Sequence, residues 1–152
     1  MRWWTATRTG ARVRYTATNL LPTSSEHGLT RRDLGAFSLT VSAPERAAFE
    51  LLHLVPRRES YEEARLLFEG LTTLRPKLVQ QLLEECRSVK VKRLFLHLAE
   101  ACGLPWVGKL DLGHVDLGRG KRVIVKRGRL DAKYQITVPQ SDDQRSETAV
   151  EA

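Results

Sequence analysis

Apolar and polar positions alternate along Arg12-Val13-Arg14-Tyr15-Thr16-Ala17-Thr18 and again along Ala36-Phe37-Ser38-Leu39-Thr40-Val41, the period of half-buried strands. Asn19 to Pro22 ends the first run, and Thr23 to Asp33 reads as loop. From Ser42 the period becomes helical. Ser42-Ala43-Pro44-Glu45 reads as a capping box with an early proline, and Ala47, Ala48, Leu51, Leu52 and Val55 recur at helical spacing until Pro56. A second capping box, Ser60-Tyr61-Glu62-Glu63, opens a helix whose expected buried face is Ala64, Leu67, Phe68 and Leu71, with Gly70 near its end. Thr73 is the expected cap of a third helix, which has Pro76 in its first turn and runs to about Cys86.

The pattern then slips. Leu78, Val79, Leu82, Leu83 and Cys86 share one face, whereas Val91, Leu94, Phe95 and Leu98 share another. The step of five residues from Cys86 to Val91 turns the stripe, at about 100° per residue, well over a quarter-turn out of line. Two helices are therefore predicted, the second capped by Ser88 and closed at Gly103. This puts Lys90, Lys92 and Arg93 in its first turn and a half, where each cation opposes the helix dipole by about 0.3–1 kcal/mol. In one reading they are solvated and neutralised by Glu84 and Glu85. In the other they form an anion site, with free backbone N–H groups and cations meeting one phosphate.

After Pro105 the period changes again. Arg122 to Lys126 and Lys133 to Val138 read as strands, joined into a hairpin through Arg127 to Ala132 and ended by Pro139. Alternation directs Arg122 and Lys126 away from Val123 and Val125. Gln140 to Ala152 is polar and acidic and is expected to be a disordered tail beyond a domain of residues 1–139. The fold class is α+β, with strands at both ends of the chain around a central four-helix array and a basic β-hairpin near the C-terminus.

Charge sharpens this picture. The chain has 152 residues, the length of a single domain, and a formal net charge of +7. Between Arg119 and Lys133 there are seven basic side chains against one acid, Asp131. Arg119, Lys121, Arg122, Lys126, Arg127, Arg129 and Lys133 are thus candidate phosphate contacts, and with Lys90, Lys92 and Arg93 they form a nucleic-acid-binding set that one polyanion would span. The plainer alternative is a sheet edge guarded by cations against aggregation.

Other chemistry is thinly represented. Gly118-Arg119-Gly120-Lys121 lacks the spacing of a nucleotide phosphate loop. Asp111 and Asp116 sit in ordinary turn sequences without the partners of a metal-dependent nuclease. Cys86 and Cys102 lack a C-x-x-C spacing and are expected as small buried side chains, not a disulfide or a metal site. His53 and His97 lie in apolar helical runs and His27 and His114 beside glycines, which suits core or surface roles. Trp3 and Trp4 suit packing at the domain edge better than stacking on bases. Neither a cofactor nor a metal is called for, and nothing assembles a nucleophile, base and oxyanion donor, so no enzyme is expected. With no apolar run of membrane-spanning length and no secretory leader, a cytoplasmic location is expected.

Several blocks of the chain resemble one family. Ser42-Ala43-Pro44-Glu45-Arg46-Ala47-Ala48-Phe49-Glu50-Leu51-Leu52 is similar to the helix start of AbiEi antitoxins, the antitoxin half of AbiE abortive-infection toxin–antitoxin systems. Phe68 to Pro76, Cys86 to Leu96 and Lys133 to Pro139 follow in the order of that family's C-terminal domain. The resemblance implies a bacterial, non-enzymatic antitoxin that counteracts a nucleotidyltransferase-type toxin without a stable complex and regulates transcription on DNA. The family's N-terminal winged helix has no room before Arg12, so the expectation is a stand-alone C-terminal domain acting as an accessory regulator. Its partners would be DNA or RNA and the toxin. The alternatives are a small nucleic-acid-processing enzyme and a basic protein–protein adaptor.

Overall fold

A computed structural model describes residues 14–140. Trp3, Trp4 and the acidic tail beyond Gln140 lie outside the described residues. The first strands are β1 (Leu29–Asp33) and β2 (Ser38–Ser42), paired antiparallel from Leu29 opposite Ser42 to Asp33 opposite Ser38. The expected strand at Arg12 to Thr18 is not found over its described part, residues 14–18, which are exposed and irregular. Its alternation has no face to bury. The partner of β2 is instead the segment read as loop, whose Thr30, Arg31 and Arg32 are all exposed and so carry no apolar signal.

Four helices follow. α1 (Pro44–Leu54) begins after Ala43, without a side-chain cap. The expected capping box is absent because its two members are used elsewhere: Ser42 Oγ donates to Glu50 Oε2 at 2.8 Å, and Glu45 is buried against Arg75. α2 (Tyr61–Glu69) does have its capping box, Ser60 with Glu63. Its buried face is Tyr61, Ala64 and Phe68, while Leu67 is 56 % exposed, since the other helices cover a narrower stripe than the sequence offers. α3 (Pro76–Glu85) has Arg75 rather than Thr73 at its N-cap position, with no side-chain cap, and Pro76 occupies its first position. α4 (Val89–Ala101) is a separate helix, as the phase slip requires, and Ser88 Oγ accepts the Val91 N–H at 3.3 Å.

α4 forms the centre. Every residue from Val91 to Ala99 is buried, which is the signature of a helix enclosed on all sides. Phe95 stacks on Phe49 of α1 with ring centroids 4.3 Å apart and meets the edge of Phe68 of α2 at 5.3 Å. Trp106 closes the cluster at 5.7 Å from Phe95, and its indole N–H donates to the Leu71 carbonyl at 2.7 Å. Gly103, at φ +62°, takes the left-handed conformation that ends α4. Cys86 is buried, Cys102 is partly exposed, and both are free thiols.

Two short 3-10 turns, Val107–Lys109 and Leu112–His114, lead to a second sheet. Its strands are β3 (Arg122–Val123), β4 (Arg129–Asp131) and β5 (Ile136–Val138), in the order β3-β5-β4. The hairpin is β4 with β5. The expected first strand is shorter and runs parallel to β5, and its faces are inverted, since Val123 is 62 % exposed and Ile124 only 4 %. The chain turns early at Arg127, φ +59°, because Gly128 lies so close to the Val138 carbonyl that a Cβ there would come within 2.1 Å of its oxygen.

Glu45 ties α1 to α3. Its carboxylate accepts the Arg75 backbone N–H and Nε at 2.9 Å and Nη2 at 3.1 Å. Burial raises the carboxyl pKa, but these Arg75 contacts outweigh it, and the net direction is downward. The stabilisation is therefore full above the ordinary glutamate range and is lost as pH falls through the lowered value. Glu45→Gln should destabilise the fold by about 1–3 kcal/mol at neutral pH. In urea melts across pH, the variant should also show a shallower loss of stability on the acid side. An acid limb identical to that of the unmodified protein would remove Glu45 from this role.

Candidate nucleic-acid interface

The ten sequence-selected cations separate into two groups. Lys90, Lys92 and Arg93, at the start of α4, turn inward. Lys90 Nζ donates to the carbonyls of His53 at 3.2 Å and Val55 at 2.5 Å, at the end of α1. Its charge thus leaves the N-terminus of the helix that carries it and serves the C-terminus of another, where the dipole favours a cation. Burial, and then the charge of Arg57, lowers its pKa. Lys92 is 5 % exposed and close enough to Cys86 to act on that thiol.

Arg93 is 3 % exposed. Its Nε donates to the Leu117 carbonyl at 2.8 Å, and Nη1 donates to those of Gly120 at 2.5 Å and Gln135 at 3.3 Å. One guanidinium thus fixes the loop before β3 and the residue that precedes β5. Glu84 and Glu85 are not the neutralising partners: Glu84 accepts from Gln80, and Glu85 takes Ser25 and His27.

The second group faces solvent. Arg119, Lys121, Arg122, Lys126, Arg127, Arg129 and Lys133 are all exposed. Among the described residues, only Lys133 of these makes an ion pair, at 2.5 Å to Glu100. The one acid of the segment, Asp131, is turned inward. Its Oδ2 lies 2.5 Å from His97 Nδ1, and its Oδ1 accepts the N–H groups of Lys133 at 2.9 Å and Tyr134 at 3.1 Å. A carboxylate only accepts, so Nδ1 of His97 carries the proton; in the neutral ring Nε2 then accepts from the Tyr61 hydroxyl, 2.9 Å away. Burial raises the Asp131 pKa, but the Tyr134, His97 and Lys133 donors reverse it, and the carboxyl is held low. Asp131 is thereby occupied with His97 of α4 and the turn before β5, and the adjoining arginines have no carboxylate partner among the described residues.

The sequence reading missed several of these parts. Glu45 with Arg75, His97 with Asp131, and Tyr134 with Glu100 are pairs separated by about thirty residues in the chain. No local pattern joins them. Arg31 and Arg32 on β1, within the segment whose pattern reads as loop, add two further exposed cations. Among the described residues no cluster of His, Cys, Asp or Glu is suited to a metal ion, and no helix is long and apolar enough to cross a membrane.

A family model described as "Transcriptional regulator, AbiEi antitoxin, Type IV TA system" matches residues 2–139. The chain belongs to this family. Its role is that of an antitoxin and transcriptional regulator of a toxin–antitoxin system, in a regulatory and non-enzymatic family whose members imply a toxin partner. No curated protein and no solved structure gives a significant match.

Lys90 also governs its neighbour His53, whose imidazole pKa is lowered by burial first and by the Lys90 charge second. Lys90→Met removes the donor to the last carbonyls of α1. It should lower stability by about 1–3 kcal/mol. In an NMR titration it should also raise the His53 pKa part of the way to its ordinary value. A His53 titration that does not move would separate the two residues.

Proposed function

We propose that this chain counteracts a nucleotidyltransferase-type toxin without forming a stable complex with it, and binds nucleic acid through the exposed basic face from Arg119 to Lys133. In this reading it works in the cytoplasm as an accessory transcriptional regulator. One observation carries the nucleic-acid part: six exposed cations, Arg119, Lys121, Arg122, Lys126, Arg127 and Arg129, have no carboxylate partner among the described residues. A sheet edge needs one or two charges to resist aggregation, and this surface has several times that number. Arginine predominates, which suits bidentate contact with phosphate oxygens. Arg93 serves this surface from beneath, by holding the loop before β3 and the residue before β5, whereas Lys90 ties α4 to the end of α1.

The toxin part rests on family membership, and its test is biological. Growth arrested by a nucleotidyltransferase-type toxin should be restored when this chain is expressed beside it. The surface part has a physical test. Each lost phosphate contact lowers the slope of log affinity against log salt by about 0.9 on duplex DNA, or about 0.7 on a single strand. Arg127→Ala with Arg129→Ala should therefore lower the slope by about 1.4–1.8 and weaken all sequences alike, with an unchanged melting temperature. Lys90→Met should do the reverse, lowering the melting temperature while leaving the slope intact. Binding that ignores salt, or a slope that follows Lys90 and not the two arginines, would rule out this surface.

A further inference from the structure

Arg93 is deeply buried, yet among the described residues no carboxylate meets it; its partners are three carbonyl oxygens. Buried charges are ordinarily paired, since carbonyl dipoles satisfy the N–H groups without cancelling the net charge. Nη2 makes no hydrogen bond among the described residues, where no buried side-chain nitrogen or oxygen is left unsatisfied, so Nη2 keeps contact with open space.

Arg93 also lines a hollow of about 400 Å³, together with Arg119, Gly120, Lys133 and Tyr134. No carboxylate lines it. Glu100 takes Lys133 Nζ and the Tyr134 hydroxyl and so offsets one of the three cations, while Asp116 and Asp131 bond backbone N–H groups of lining residues. Arg122 lies close enough to add its charge, and after burial it is the second influence that pulls the Arg93 pKa down.

The loop contributes as well. Gly118 and Gly120 take φ +64° and +74°, and Gly118 could not carry a Cβ without meeting Val89 at 2.8 Å. The Gly118 N–H is taken by Asp116 at 2.8 Å. The next three N–H groups, of Arg119, Gly120 and Lys121, have no partner among the described residues. A held guanidinium, two further cations and the free N–H groups of Arg119 and Gly120 around one concavity are the parts of an anion site.

We propose that this hollow binds a single phosphoryl group, with Arg93 Nη2 as its floor and Arg119 and Lys133 at its rim. It rests on the nucleic-acid reading only for the source of the phosphate, which is either a backbone phosphodiester or a terminal or free phosphate monoester. The arrangement distinguishes this position from the rest of the basic face. Elsewhere a phosphate meets mobile side chains; here it meets a guanidinium already locked by three carbonyls, so less freedom is lost on binding.

The test uses inorganic phosphate, at constant ionic strength set with chloride, read by calorimetry and thermal melting. Phosphate should stabilise the protein beyond the chloride control. Arg119→Ala should weaken phosphate about tenfold, as expected for one charge-assisted contact. Arg127→Ala, the same charge change outside the hollow, should leave phosphate affinity unchanged. Glu100→Gln should tighten it by releasing Lys133. An absence of any effect beyond chloride, or equal losses in the two arginine variants, would overturn the proposal.

Oligonucleotides with and without a 5′-phosphate identify the source: tighter binding of the phosphorylated form marks a monoester site, and equal binding marks a backbone phosphate. Phosphate binding without oligonucleotide binding would keep the hollow and defeat the nucleic-acid reading. Oligonucleotide binding in which Arg119 and Arg127 are interchangeable, with no response to phosphate, would keep the surface and defeat the hollow.

Discussion

Enclosing α4 on all sides is the constraint on which the rest of the structure depends. A helix buried from Val91 to Ala99 has no solvent face to which polar side chains can be assigned, yet this one contains Lys92, Arg93 and His97. Each polar group taken from water without a partner costs several kcal/mol by transfer measures, about 2–7. Arg93 and His97 find their partners in other segments, and with Lys90 they become the ties of the fold. Lys90 reaches α1, Arg93 reaches the loop before β3 and the residue before β5, and His97 joins Tyr61 of α2 to Asp131 of β4. The same residues explain why cations stand where the helix dipole disfavours them. Their side chains are long enough to deliver the charge to carbonyls elsewhere.

The character of the surface follows from this interior arrangement. Acidic residues near the ties are committed: Glu45 to Arg75, Glu85 to Ser25 and His27, Asp131 to His97, Glu100 to Lys133 and Tyr134. Asp131 matters most, because it is the one acid among the basic residues from Arg119 to Lys133. Turned inward, it cannot offset them. The basic face is therefore a consequence of where its only acid is needed as much as of how many cations it has.

The parts of this structure legible in the sequence are those fixed by near neighbours. The Ser60 capping box and the Ser88 cap involve residues three apart, and the separation of α3 from α4 shows as a phase slip over five positions. The first capping box failed for the opposite reason. Glu45 has a better partner in Arg75, thirty residues along the chain, and a local motif carries no trace of that competition. Exposed strands are illegible in another way. β1 buries nothing, so its residues display the composition of a loop, and only the register with β2 makes it a strand. The short C-terminal strands misled for a third reason: the tight approach of Gly128 to Val138 sets the turn, and the side-chain pattern of Arg122 to Lys126 does not report it. For the site, the cations that composition picks out between Arg119 and Lys133 are exposed, but composition does not say that Arg93 is tied to the loop and strand that carry them and Lys90 to the end of α1.

A sheet with strands of two, three and three residues is too small to hold its own shape, because strand pairs of this size are marginal in water. Its position must come from outside. Ile136 and Val138 supply apolar burial, but burial is indifferent to small sliding motions, whereas hydrogen bonds to defined carbonyls are not. Arg93 and His97 therefore set the spacing of the cations above them, and they do so from a helix enclosed on all sides. Core and surface are coupled through these two side chains. A substitution within α4 that preserves its apolar packing but removes either tie would leave the basic residues present and misplaced, so that the geometry of this surface is set from within the core.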